Sequence, residues 1–193
     1  MNIYFKQCNS ANFKRGRSKE IKYIVIHYTA NDGDTAKGNA NYFANNKVGA
    51  SAHYFVDDKE IYQSVLDTDT AWHCGTKGAY KHPYCRNDNS IGVELCSRKN
   101  NAGKYYFKEN TVTNAVELVR SLMKKYNVPA SNVIRHYDVT GKNCPAPFVE
   151  NETAWKDFKR LIEEDGEVQS TKVVYKGKTL EGFIKDGKTY AEV

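Results

Sequence analysis

The stretch KYIVIHYTA (22–30) constrains the fold most, because it is apolar on both alternating faces. Ile24, Ile26 and Tyr28 point one way and Tyr23, Val25 and His27 the other. A strand that is apolar on both sides must be covered on both sides, which places it in the middle of a sheet flanked by helices. An all-helical chain or a half-exposed antiparallel sheet would not write this pattern.

The neighbouring segments agree. GDTAKGNANYFANN (33–46) reads as a short helix with Asp34 or Thr35 as N-cap, and SAHYFVDDKEIYQSV (51–65) as two strands around the polar turn Asp57-Asp58-Lys59. NSIGVELC (89–96) is a further strand, with Ile91, Val93 and Leu95 on one face and Gly92, Glu94 and Cys96 on the other. Over 111–126 an apolar stripe of Val112, Ala115, Val116, Val119, Leu122, Met123 and Tyr126 predicts a helix that ends at Asn127 and Pro129. VIRHY (133–137) reads as a strand, and Trp155, Phe158, Leu161 and Ile162 mark a last helix near 152–164. The expected architecture is a single α/β domain over 1–164, a central mixed β-sheet flanked by helices. Residues 165–193 change texture into two strand-turn units, VVYKGKTL and GFIKDGKTYAEV. So short a β segment buries no core of its own, and packing on the main domain, pairing with another chain and the beginning of a module that stops early remain open for it.

Charge and cysteine content narrow the chemistry. The net charge of +6 favours an acidic partner, whether nucleic acid, anionic lipid or an anionic cell-wall polymer, and the lack of any block of five or more basic residues speaks against a nucleic-acid footprint. Five cysteines, Cys8, Cys74, Cys85, Cys96 and Cys144, occur without a close pair, which argues against a disulfide framework and for folding under reducing conditions. MNIYFKQCNS lacks an apolar core of signal-peptide length and no segment is apolar enough to span a membrane. The expectation is synthesis and folding in the cytoplasm, with release needed for any action outside.

Several polar residues occupy positions where sheets of this kind place their chemistry. His27 lies at the C-terminal end of the first central strand and His136 at the end of another, with Cys144 in the loop that follows. Two imidazoles and a thiolate suit a three-ligand metal site with an open fourth position, yet a loose spacing is equally compatible with unconnected buried side chains. Glu94 sits mid-strand between Val93 and Leu95, either as a solvated glutamate or as a general base. Lys142, two residues before Cys144, is a surface lysine or an oxyanion partner. His53, Trp72 and His73 are candidates to line a substrate groove or simply to pack, and Asp138 to orient His136 or to remain a surface acid.

Five stretches in order carry a resemblance: IVIHYTA, SAHYFVDD, AWHCG, SIGVELC and IRHYDVTGKNCP. The domain resembles the zinc-dependent N-acetylmuramoyl-L-alanine amidases of the type 2 group, which is related to the peptidoglycan-recognition proteins and includes many phage endolysins. The resemblance implies one zinc ion held by His27, His136 and Cys144, Glu94 as the base and Lys142 as the residue assisting the transition state. Some members use a tyrosine just before the histidine of the second motif; Ala52 stands here, so the role falls to Glu94. The third ligand is aspartate in others, and cysteine is the softer choice that favours zinc. The implied activity is cleavage of the amide between N-acetylmuramic acid and the L-alanine of the stem peptide, as in an endolysin freed by a holin to attack a Gram-positive wall. A non-catalytic peptidoglycan-binding domain is the alternative.

Overall fold

The computed structural model describes residues 3–76 and 78–164 in full, and the backbone of three further strands at 169–175, 178–185 and 188–191. Its elements run β1 (Ile3–Phe5), β2 (Phe13–Lys14), β3 (Tyr23–Tyr28), α1 (Ala36–Asn45), β4 (Tyr54–Val56), β5 (Ile61–Gln63), β6 (Thr70–Ala71), β7 (Ser90–Leu95), β8 (Arg98–Lys99), β9 (Tyr105–Tyr106), α2 (Glu109–Tyr126), β10 (Val133–Arg135), α3 (His136–Thr140), α4 (Ala146–Val149) and α5 (Glu152–Glu163). Two compact units result, Met1–Ile162 and Glu163–Val193.

The first unit is built on a six-stranded sheet in the order β1-β5-β4-β7-β3-β10. All neighbours are parallel except β4 and β5, the hairpin expected around Asp57-Asp58-Lys59. The doubly apolar strand is indeed internal: Ile24, Ile26, Ile91, Val93 and Leu95 pack against Ala115, Val116, Leu118, Val119 and Leu122 of α2 and Trp155, Phe158 and Ile162 of α5. On the opposite face Val25 packs with Cys74, Cys85 and Val139, while Ala36 and Ala40 of α1 cover Phe55 and Cys96. Burying an Ile or Leu side chain contributes roughly 1.5–3 kcal/mol, so these two layers dominate the stability of the unit.

Local chemistry sets the element ends. Thr35 caps α1 by accepting from the Gly38 N–H at 3.0 Å. α2 starts two residues earlier than its apolar stripe suggests, at Glu109, and stops where Asn127 enters the left-handed region with φ of 51°. The expected strand 133–137 is shorter: it ends at Arg135, and His136 opens the helix α3. The reason is Asp138, whose carboxylate accepts from the Arg135 N–H at 2.8 Å and grips the Arg135 guanidinium, turning the chain into a helix start. Asp138 therefore acts on the backbone beside His136, and its side chain is engaged with Arg135.

The second unit is an antiparallel sheet of β11 (Gln169–Tyr175), β12 (Lys178–Lys185) and β13 (Lys188–Ala191), in that order. The expected turn residues Lys176-Gly177 and Asp186-Gly187 lie between these strands, outside the described residues. No helix among the described residues is long and apolar enough to cross a membrane.

Candidate active site

Register assembles the site. β3 and β7 pair His27 with Glu94, and β7 and β4 pair Glu94 with Phe55, so the three side chains form a row on one face near the C-terminal edge of the sheet. On the other side of β3, Arg135 pairs with Ile26, which brings the next residue, His136, level with His27. Their ring centroids are 4.6 Å apart. Cys144 returns to the same place because its carbonyl accepts from the Tyr137 N–H at 2.8 Å, closing the loop that starts at α3.

The ligand atoms of His27, His136 and Cys144 all lie within 4.8 Å of one another, and all three residues are buried. The ring nitrogens of His136 make no well-aligned hydrogen bond, the Gly75 backbone being the polar group that acts on them, although the residue is only 4% exposed. A buried imidazole so poorly partnered is costly, and a cation between the three residues would satisfy it. Burial, with the neighbouring His136, His73 and Lys142, holds the His27 imidazole well below its ordinary range, and burial with Lys142 holds His136 at about 4. Both rings are thus neutral, the form that ligates metals. Burial pushes the Cys144 thiol up to about 12, with Glu94 adding to the rise. Only a cation would make its thiolate affordable there, and two imidazoles with one sulfur suit a borderline-soft divalent ion. The residues present fit a metal.

Beside the triad opens a cavity of about 700 Å³ whose walls include Tyr28, Asn31, Asp34, Tyr42, Glu94 and Lys142. Glu94 is half-buried, and its Oε2 is shut off without a hydrogen-bond partner. Burial lifts its carboxyl to about 8, while the Lys142 ammonium pulls it down and Asp34 adds to the rise. Lys142 itself is exposed at the cavity edge. The arrangement offers a cation site, a carboxylate able to take and return a proton near neutrality, and an ammonium, all around one open space.

The family model described as N-acetylmuramoyl-L-alanine amidase matches residues 17–147. The chain belongs to this amidase family. Among curated relatives, the N-acetylmuramoyl-L-alanine amidase CwlL of Bacillus licheniformis is 36% identical over 151 residues, covering 74% of this chain and 41% of its own length. The amidase XlyA of Bacillus subtilis (strain 168) is 33% identical over 186 residues, covering 95% of this chain and 58% of its own. The solved catalytic domain of XlyA superposes with a TM-score of 0.69 at 32% identity, over 84% of this chain and 99% of that domain. The chain thus spans between two fifths and three fifths of these curated relatives, and nearly all of the solved amidase catalytic domain.

Within this amidase-family domain none of the three residues expected along a substrate groove lines this cavity. His53 is 0% exposed: the Gly92 N–H donates to its Nδ1 at 2.9 Å, and the Arg17 guanidinium lies 2.5 Å from its Nε2. Burial and then Arg17 keep that ring neutral. His73, 8% exposed, lies behind His27, with its Nδ1 3.0 Å from His27 Nε2. Half-buried Trp72 is tied through its backbone to Ser51 and is not among the residues lining the cavity. Both histidines are buried beside buried neighbours, His53 between Ala52 and Tyr54 and His73 next to Cys74, so they belong to the floor beneath the site. Conversely Asn31, Asp34 and Tyr42 escaped sequence reasoning. For Asn31 and Asp34 the signal was position, since TANDGD directly follows a buried central strand, where parallel sheets collect ligand-binding loops, whereas Tyr42 reaches the cavity from α1. Ala30, at φ of 54°, makes the left-handed turn that starts this loop, and the Tyr105 hydroxyl donates to its carbonyl at 2.7 Å.

Proposed function

We propose that the chain is a peptidoglycan hydrolase that cleaves the amide between N-acetylmuramic acid and the L-alanine of the stem peptide, with zinc held by His27, His136 and Cys144. The observation that carries the reading is the convergence of those three ligand atoms within 4.8 Å, with His27 the direct register partner of Glu94 on the neighbouring strand. Membership of the amidase family supplies the reaction class, and the donor set favours zinc over harder cations.

Zinc, when bound, polarises the scissile carbonyl and lowers the pKa of water to about 7. Glu94 takes the proton of the attacking water on a carboxylate oxygen and returns it to the departing alanine nitrogen. A carboxyl raised by burial suits both halves of that exchange, since it neither holds nor releases the proton too readily. The Lys142 ammonium offers its protons to the oxyanion that develops on the carbonyl oxygen. Tyr28, Asn31 and Tyr42 extend the cavity beyond Glu94 and offer polar and aromatic surface to sugar and peptide. The organisms of the relatives and the positive charge of this chain support a Gram-positive, anionic wall as the site of action.

Purified walls incubated with the zinc-loaded chain should yield new free amino termini and no new reducing ends. Cys144→Ser should lose both the release and the single zinc per chain found by metal analysis. Wall binding without any release by the zinc-loaded wild type would replace the hydrolase with a recognition domain.

A further inference from the structure

We infer that His73 and Ser90 are positioning residues that hold the proton of His27 on Nε2 and so aim its Nδ1 lone pair at the cation site. The polarity follows atom by atom from one carbonyl. The Arg86 carbonyl oxygen can only accept, and Ser90 Oγ lies 2.6 Å from it, so the hydroxyl donates there. Ser90 Oγ then accepts from His73 Nε2–H at 3.2 Å. Neutral His73 is left with Nδ1 as its acceptor, and that nitrogen is 3.0 Å from His27 Nε2. His27 must donate, and its remaining lone pair is Nδ1, the atom 3.7 Å from Cys144 Sγ. Reversing any one bond would set two donors or two acceptors face to face in a buried layer, because Ser90 is 0% exposed and both rings are buried.

The fold makes room for this relay. Gly92 lies beneath the His73 ring: a Cβ there would stand 2.6 Å from Cγ and 2.8 Å from Cδ2 and Nδ1. A glycine in the interior of a central strand weakens that strand, and here it is the seat that lets the ring stand against His27 at an interplanar angle of 85°. The Asn87 side chain accepts from the His73 and Cys74 N–H groups at 3.0 and 2.7 Å, fixing the backbone, and the Cys74 sulfur packs 3.2 Å from His73 Nδ1. Metal-ligating histidines are commonly oriented through their second nitrogen by a carboxylate or a backbone carbonyl. In this chain a second histidine and a serine transmit the carbonyl's preference.

The consequence for the cation rests on the amidase reading above; the tautomer of His27 does not. Two measurements on the full chain separate them. In the metal-stripped wild type, long-range proton–nitrogen correlation of ¹⁵N-histidine should find His27 protonated on Nε2. Zinc competition against a chromogenic chelator should then show His73→Leu weakened by about 10–100-fold, the usual range for losing such a partner. His73→Gln, which can still accept from His27 and donate to Ser90, should remain within about threefold of wild type, well outside that range. An Nδ1-protonated His27 in the wild type, or equal zinc affinity for the Leu and Gln variants, overturns the inference. Should His73→Leu fail to melt cooperatively, the wild-type tautomer decides alone. A correct tautomer with tight zinc but no release of amino termini sinks the hydrolase and leaves the relay standing; cleavage with the opposite tautomer does the reverse.

Discussion

In the proposed reaction Glu94 carries both proton transfers on one carboxyl. Glu94→Gln keeps the shape and removes the basicity, so zinc content and the circular dichroism spectrum should be unchanged while amide cleavage falls by about 10²–10⁴-fold, the usual share of general acid–base catalysis. Near-normal cleavage would remove Glu94 from its role. The same residue leaves a mark on stability. Its carboxyl rises from 4.5 to about 8 through burial, against the pull of Lys142. The folded state therefore binds this proton more tightly than the unfolded one, and the resulting stability is complete below pH 4.5 and is lost as pH climbs through about 8. In chelator-treated protein, Glu94→Gln should gain stability relative to wild type across that window, measured by urea unfolding at stepped pH. A difference independent of pH would show that the carboxyl is not held protonated by its surroundings. The identity of these residues was legible from the motifs, but their company was not. His73 looked like a groove residue because a Trp-His pair suggests one, and only the packing on Gly92 turned it toward His27.

The elements show the same division. Periodicity located α2, α5, β3 and β7 to within a few residues, because each buries a regular stripe or a full strand, and the N-cap at Thr35 located α1. It misjudged 133–137, where the apolar run continues but Asp138 captures the Arg135 N–H and starts a helix; that competition is settled by one hydrogen bond, which no apolar pattern records. A second carboxylate joins two elements. Asp57, 2% exposed, accepts from Ala36 N–H at 2.8 Å, Lys59 N–H at 2.7 Å and Glu60 N–H at 2.9 Å, tying the β4–β5 turn to the start of α1. Asp57→Ala strands three donors and should cost about 2–4 kcal/mol, given roughly 1–3 kcal/mol for an unsatisfied buried group and partial relief by water. The measurement is the urea midpoint. Because α1 carries Asn39 and Tyr42 to the cavity wall, the variant should also raise KM at temperatures well below its unfolding transition. An unaltered midpoint would mean that the turn and helix are joined by packing alone.

For the whole molecule, charge matters more than any single contact. The chain carries +6, and residues 165–193 hold five lysines against five acids, so the excess belongs to the amidase domain. Attraction to an anionic wall is screened as the Debye length falls from about 10 Å at 0.1 M salt to about 3 Å at 1 M. Adsorption to teichoic-acid-bearing walls should therefore drop severalfold over that range, read by pelleting, while the affinity for zinc in its buried site changes little. Salt-independent adsorption would point to recognition by shape and hydrogen bonding instead. By itself the sequence determined the layered α/β architecture and the family, and it named the candidate site residues, because each is written as local pattern: a doubly apolar strand, amphipathic stripes, five motifs in order. The tertiary structure alone decided that His27, Glu94 and His136 share a level, that His53 and His73 lie under the site, and that Gly92 seats the His73 ring. Those facts depend on strand register and on which face a side chain takes, and both are set by pairing between segments tens of residues apart.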